Sequence, residues 1–185
     1  PKRDRRLWLG DFRLQALANY YTFRNSDIVK RCLYLFAAFD DDERLLPSYI
    51  YTTPEVETGE AYLVSYALLF TAALCDYFEH TKDKAVTEDL FDTAKRQIDI
   101  TRKMLDKNGI LVMPENYGWW TFVDWSDAEP VTACMGIYIY TVKKFADLCE
   151  KLNKKSEANN YRELSQKLKK SAFDFLYNGT VFQNE

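Results

Sequence analysis

The chain has 185 residues, 47% of them hydrophobic and 16% aromatic, which is enough for one large domain or two small ones. Its formal net charge of −3 does not favour a nucleic-acid partner, and no run of about 18 or more uncharged apolar residues predicts a membrane span. No signal peptide is visible, and because the chain begins on Pro1 rather than Met we expect it to be part of a longer protein.

The spacing of apolar residues predicts six helices, with glycine and proline confined to their ends. The third is apolar nearly all round, which indicates a helix buried on most sides. The fourth and sixth carry one charged face, which is typical of an outer layer. In chain order, the predicted helices span about 11–23, 27–39, 60–79, 84–105, 129–151 and 156–176.

Capping residues support three of these helix starts. Asn25 to Asp27 offers a cap for the second helix, Pro130 suits the first turn of the fifth, and Ser156 is a candidate cap for the sixth. Strands are expected only in the short apolar runs 110–113 and 180–182.

The chain repeats a unit of two helices, a turn and a short extended run. The turn dipeptides Asn108-Gly109 and Asn178-Gly179 lie roughly 70 residues apart, and Asn-Gly tolerates the positive φ that tight turns need. Solenoid repeats are shorter, about 33–47 residues, so a closed all-α toroid fits better. We therefore predict one domain over residues 1–185 with helical hairpins at about 11–39, 60–105 and 129–176. In such a toroid the segments 40–60 and 106–128 and the opening stretch PKRDRRLWLGDF meet at one end.

The 106–128 segment has the composition of a sugar site. Trp119, Trp120 and Trp125 lie beside Asp124, and indole faces stack on pyranose C–H groups while carboxylates accept hydrogen bonds from hydroxyls. The alternative is that these tryptophans only plug the end of the barrel.

Metal and cofactor sites are not expected. The acidic run from Asp40 to Glu43 lacks the carboxylate that a DDxxD metal motif requires, because Arg44 stands there, and it is interpreted as a solvated helix end. His80 is interpreted as a helix-capping residue. The four cysteines have no metal-ligand spacing and are expected to be buried, reduced thiols.

Three stretches together resemble the catalytic domain of α-L-rhamnosidases, glycoside hydrolase family 78. They are PKRDRRLWLGD at the start, the helix YLVSYALLFTAALCDYFEHTKD, and VDWSD in the tryptophan-rich segment. The resemblance covers nearly the whole chain. It implies an (α/α)6 six-hairpin barrel, of which three hairpins are present here, and inverting hydrolysis of terminal α-L-rhamnose without a cofactor. The implied partners are a rhamnoside substrate and the remaining half of the barrel.

The resemblance also implies roles for individual residues. Inversion requires an acid and a base about 6.5–9.5 Å apart. Asp4 lies where the family has its acidic glutamate, seven residues before the sugar-binding aspartate, which Asp11 matches, and the base is expected on a loop beyond residue 185. The residues expected to bind substrate are Arg3, Trp8, Trp119, Trp120, Asp124 and Trp125.

The charges around Asp4 leave a second interpretation open. Neighbouring lysine and arginine residues would lower the pKa of Asp4, whereas a general acid near neutral pH needs a raised pKa. Asp4 would then be a binding group, with another carboxyl as the acid.

Two further functions compete with rhamnoside hydrolysis. Another six-hairpin glycosidase or a polysaccharide lyase would use the same barrel on a different sugar. A non-catalytic helical-repeat scaffold would spread its aromatic residues along a concave face, whereas here they concentrate in one segment, which favours a pocket.

Overall fold

Helices make up most of residues 6–59, 61–112 and 130–183, which the structure, a computed structural model, describes. Within these ranges the helices are α1 (Leu9–Tyr21), α2 (Ser26–Ala37), α3 (Val64–Thr81), α4 (Lys84–Asp89), α5 (Phe91–Arg102), α6 (Val131–Lys151) and α7 (Lys155–Leu176). The strands in the same ranges are β1 (Arg6–Trp8), β2 (Tyr49–Tyr51) and β3 (Glu57–Thr58).

Three helices, α1, α3 and α6, lie side by side and run in the same direction; we call them the inner helices. Between α1 and α3, Gly10 lies against Tyr66 near the helix starts, and Tyr20 stacks on His80 at 4.1 Å near their ends. Between α3 and α6, successive contacts involve later residues of both helices, which shows that the two helices are parallel. The contacts are Leu68 with Thr141, Asp76 with Lys144, and Glu79 with Lys151.

The outer helices α2, α5 and α7 cover one side of this layer. Short connections join α1 to α2 and α6 to α7, as in antiparallel helical hairpins. Phe145 of α6 packs between Phe91 of α5 and Tyr161 of α7, with ring centroids 5.0 and 5.1 Å apart. Nearly every residue of α3 from Val64 to Phe78 is buried, as its apolar sequence predicted.

Several predicted helix boundaries were wrong. The segment expected as one helix over 84–105 is divided at Leu90 into α4 and α5, and the third helix begins at Val64 rather than residue 60. Ser156 lies inside α7, whose N-cap is Lys154 without a side-chain cap, and Pro130 is the N-cap of α6 rather than a first-turn residue. The predicted cap of α2 is confirmed, because Asn25 accepts a hydrogen bond from the Ile28 amide at 3.4 Å.

A small antiparallel sheet in the order β1-β2-β3 was not predicted. Its register pairs Arg6 with Tyr51 and Trp8 with Tyr49, so these four side chains share one face. The other face carries Leu7 and Ile50 toward the core.

The glycines of the two Asn-Gly turns both have positive φ. Gly109 has φ +77° and Gly179 φ +96°, which explains why glycine follows asparagine at both places. The apolar runs beside these turns form isolated bridges, Leu105 with Leu111 and Tyr177 with Phe182, so the strands predicted there were wrong.

The prediction of buried, reduced thiols is confirmed for three cysteines, whereas Cys32 is less buried than predicted. Cys75, Cys134 and Cys149 are buried, Cys32 is half-buried, and all four are free. Burial raises the pKa of Cys134 and of Cys149 to about 12, so these groups are inert thiols near neutral pH.

Among the described residues, none of the helices has the length and apolarity needed to cross a membrane.

Candidate active site

The candidate site lies where the inner helices begin, beside the small sheet. Buried Ser48 joins these elements: its carbonyl accepts from the Leu9 amide at 2.9 Å, and its amide donates to the Ala61 carbonyl at 2.8 Å. Its hydroxyl accepts from the Leu63 amide at 2.6 Å. The starts of α1 and α3 are therefore held in register by one residue just before β2, through its backbone carbonyl and its side-chain hydroxyl. Because α6 runs parallel to α3, its N-terminal end lies at the same end of the layer.

An aromatic surface covers the outward face of the sheet. Trp8 packs against Tyr49 at 4.6 Å between ring centroids, and Tyr49 meets Tyr51 edge-on at 5.6 Å. The Arg6 guanidinium lies over Tyr49 at 4.4 Å and over Tyr51 at 5.4 Å. Such cation–π contacts hold the guanidinium against the aromatic rings.

Tyr66 of α3 closes the other side of Trp8. The two rings meet edge-on at 6.1 Å, and the Tyr66 ring lies so close to Gly10 that a Cβ there would be 2.7 Å from it. Glycine is therefore required before Asp11 because it lets an aromatic ring pack directly on the first turn of α1.

Asp11 is exposed in that first turn. The positive end of the helix dipole stabilises its carboxylate charge there. Burial, and to a smaller extent the charge of Asp11, raise the pKa of Tyr66, which keeps its hydroxyl protonated. The site thus offers a carboxylate acceptor (Asp11), an indole (Trp8) and a phenol donor (Tyr66) where α1 and α3 begin.

Two of the predicted site residues, Trp8 and Asp11, both lie near Tyr66: Trp8 meets its ring edge-on, and the charge of Asp11 acts on its hydroxyl. The other predicted ones lie outside the described residues; they are Arg3, Asp4, Trp119, Trp120, Asp124 and Trp125. Sequence reasoning did not predict a site role for Arg6, Tyr49, Tyr51 or Tyr66, which surround Trp8. The sequence carried one signal for this surface: Arg6 and Trp8 are two residues apart, as are Tyr49 and Tyr51, which is the spacing of side chains on one face of a strand. Only the strand register shows that the two pairs lie on the same face.

The prediction that the acidic run 40–43 is a solvated helix end was wrong for its first residue, Asp40, which contacts α5. Asp40 accepts hydrogen bonds from Thr93 at 2.7 Å and from Arg96 at 3.2 Å, and Arg96 also pairs with Asp42 at 2.8 Å. These contacts join the end of α2 to α5. Within the described ranges no group of three or more His, Cys, Asp or Glu residues could hold a metal ion.

A separate cleft among the described residues lies elsewhere. It has a volume of about 490 Å³ and runs between the outer helices α5 and α7. Its central carboxylate, Asp99, is already bound by Lys95 at 2.9 Å and by the Tyr161 hydroxyl at 3.1 Å. The chemistry at the helix starts, and not this cleft, therefore defines the candidate site.

Comparison with protein families matches residues 1–180 to the bacterial alpha-L-rhamnosidase six-hairpin glycosidase domain. The chain belongs to this family. The resemblance noted from PKRDRRLWLGD and VDWSD is thereby confirmed, and the mostly helical fold is part of a six-hairpin glycosidase domain. Comparison with curated proteins gave no match.

Three solved structures of rhamnosidases resemble the chain. A rhamnosidase from Klebsiella oxytoca with rhamnose bound has 36% identity and a TM-score of 0.89, over 97% of this chain and 34% of the other. A family 78 rhamnosidase from Bacillus sp. GL1 has 20% identity and a TM-score of 0.79, over 94% and 18% of the two chains. An α-L-rhamnosidase from Dictyoglomus thermophilum has 15% identity and a TM-score of 0.76, over 95% and 20%. The chain therefore spans about a third of the length of the Klebsiella protein.

Proposed function

We propose that the protein containing this chain removes terminal α-L-rhamnose from glycosides by an inverting acid–base mechanism. The observation that carries the proposal is the 36% identity over 97% of the chain to a rhamnosidase structure that holds rhamnose. The adjacent carboxylate and indole of Asp11 and Trp8 give the proposal a chemical basis.

The described residues would bind the sugar. The Asp11 carboxylate would accept hydrogen bonds from rhamnose hydroxyls, and charge on the acceptor strengthens such bonds. Trp8, fixed between Tyr49 and Tyr66, would supply an apolar face for the C–H groups and the methyl group of the sugar.

The chemical step would use two carboxyl groups. Asp4 would give its proton to the glycosidic oxygen, while a carboxylate from beyond residue 185 would take a proton from the water that attacks the anomeric carbon. The C–O bond to the leaving group breaks as the bond to water forms on the opposite face, which inverts the configuration. Arg3, Trp119, Trp120, Asp124 and Trp125 would complete the substrate contacts.

The domain arrangement belongs to the same proposal. Residues 1–185 would form the N-terminal part of a single (α/α)6 catalytic domain, with hairpins at about 11–39, 60–105 and 129–176. Without the remaining half of the barrel this segment would lack its base and would be catalytically incomplete.

The test is turnover of p-nitrophenyl α-L-rhamnoside by the whole protein, with the anomer of the first product read by NMR. We expect β-L-rhamnose as the first product. On a rhamnoside whose leaving group is an alcohol, which needs the proton of the acid, we expect kcat to fall by about 10²–10⁴ for Asp4→Asn. Formation of the α-anomer first, or no rhamnoside turnover, would refute the proposal. Turnover that survives Asp4→Asn would make Asp4 a binding residue and assign the acid to another carboxyl.

A further inference from the structure

The turn that follows α7 holds the side chain of Asn178 in three hydrogen bonds. Its Oδ1 accepts from the Thr180 amide at 3.0 Å and from the Val181 amide at 2.9 Å, and its Nδ2 donates to Oε1 of Gln183 at 2.8 Å. Two backbone N–H groups therefore point at one side-chain carbonyl oxygen. Donors fixed in this way stabilise the negative charge that develops on such an oxygen when a nucleophile adds to its carbon.

The nucleophile nearest along the chain is the backbone nitrogen of Gly179. This amide has no hydrogen-bond partner among the described residues, so nothing there protects its proton from hydroxide. Asn178 and Gly179 are both exposed, and a Cβ built on Gly179 would meet nothing within 4 Å. Water therefore has open access to the Asn178–Gly179 link.

The second Asn-Gly turn differs in each of these respects. The Gly109 amide donates to the Asp106 carbonyl at 3.0 Å, so the corresponding nitrogen is occupied. The Asp106 carboxylate accepts from the Asn108 and Ile110 amides at 2.9 and 2.8 Å, and its charge opposes an anionic intermediate on the same turn. The Asn108 side chain accepts no hydrogen bond from the described residues, and it is half-buried.

We propose that Asn178 is a self-modification site, which deamidates within its own turn faster than Asn108 does. The Gly179 nitrogen loses its proton to hydroxide and forms a bond to Cγ of Asn178. The Cγ–Nδ2 bond breaks, and Nδ2 takes a proton from water and leaves as ammonia, which closes a succinimide ring. Water then opens this ring at either carbonyl and gives aspartate or isoaspartate, so water is the sole co-reactant.

The modification changes the segment that follows α7. Either product adds one negative charge, and isoaspartate also lengthens the backbone by one methylene. The bridge between Tyr177 and Phe182, whose ring centroids lie 5.0 Å apart, spans this turn. Conversion of Asn178 therefore loosens this bridge at a site separate from the helix starts that carry the candidate active site.

The test follows both asparagines in the whole protein by peptide mass spectrometry, during incubation in heavy-oxygen water that labels each carboxylate formed by hydrolysis. Asn108-Gly109 is the matched control within the same molecule. A parallel incubation in guanidinium chloride gives the rates that the two local sequences have without the fold. Asn178→Gln, whose longer side chain does not close a succinimide, identifies the signal from this turn.

We expect Asn178 to convert about tenfold or more faster than Asn108 in the native protein, and the two rates to agree within about threefold in guanidinium chloride. A native ratio no larger than the denatured ratio would overturn the inference, because the hydrogen bonds would then restrain the amide rather than activate it. An Asn178 that stays unlabelled in the native protein would overturn it as well. The labelling does not depend on rhamnoside turnover, so its failure is distinct from a failure of the proposed function.

Discussion

Arg13 of α1 donates a hydrogen bond from Nε to Oδ2 of Asp76 in α3 over 2.8 Å, and both side chains are largely buried. The other oxygen of Asp76 binds Lys144 of α6 at 2.7 Å. Arg13 also donates to the Tyr140 hydroxyl of α6 at 2.7 Å. One carboxylate therefore joins all three inner helices, whose N-terminal ends carry the candidate site.

Removing this carboxylate should destabilise the fold strongly. Asp76→Ala removes the carboxylate that two buried cations, Arg13 and Lys144, share, and we expect the free energy of unfolding to fall by about 3–5 kcal/mol. Urea unfolding followed by circular dichroism measures the change. The control is Glu88→Ala, which breaks the exposed Lys84–Glu88 pair and should cost less than about 1 kcal/mol. Similar losses in the two variants would contradict the role given to Asp76.

The network should also give a component of stability that is lost in acid. Burial opposes ionisation of Glu79, but hydrogen bonds from Lys144 and Lys151 outweigh it and lower the pKa of Glu79 below its ordinary value. A lowered folded-state pKa stabilises the fold above the unfolded-state pKa, near 4.5, and this contribution disappears as pH falls through the folded-state value.

The measurement compares the melting temperature of the unmodified protein and Glu79→Gln as a function of pH. We expect the unmodified protein to be more stable near pH 7, by under about 1 kcal/mol because Glu79 is partly exposed. The difference should shrink as pH falls below 4.5 and vanish once Glu79 is protonated in both the folded and the unfolded state. A difference that stays constant over this pH range would contradict the assignment.

Two helical glycines should respond in opposite directions to the same substitution. Gly10→Ala places a Cβ 2.7 Å from the Tyr66 ring, so Tyr66 must shift, and we expect a loss of about 1–3 kcal/mol with weaker rhamnoside binding. Gly136→Ala in α6 meets nothing within 4 Å and should stabilise the protein by about 0.4–1 kcal/mol. Thermal unfolding together with KM separates the two. Stabilisation by Gly10→Ala would show that the contact with Tyr66 is not tight.

The long helices were predictable because their signal is local. The apolar sequence of α3 and the charged face of α7 report burial directly, and the Asn-Gly dipeptides mark turns whose glycines take positive φ. The sheet was missed because its strands are two or three residues long, too short to display an alternating pattern, and their pairing joins Trp8 to Tyr49 across α1 and α2.

The same limit explains the error over the acidic run. Asp40 was interpreted as solvated because its partners, Thr93 and Arg96, lie more than fifty residues later. Nothing local in DDDE distinguishes a carboxylate that faces water from one that faces a neighbouring helix. The break at Leu90, where the backbone has φ −95° and ψ 3°, is similar, because no glycine or proline in the local sequence marks it.

The central claim is that Asp11, at the start of α1, binds rhamnose. The most direct measurement is the affinity of the whole protein for free L-rhamnose by calorimetry, in Asp11→Asn and in the matched control Asp27→Asn. Asp27 is an exposed aspartate in the first turn of α2, so its substitution repeats the helix-dipole change away from the site. We predict a loss of affinity of about tenfold or more for Asp11→Asn and no change for Asp27→Asn. Unchanged rhamnose binding in Asp11→Asn, or equal losses in both variants, would contradict the account.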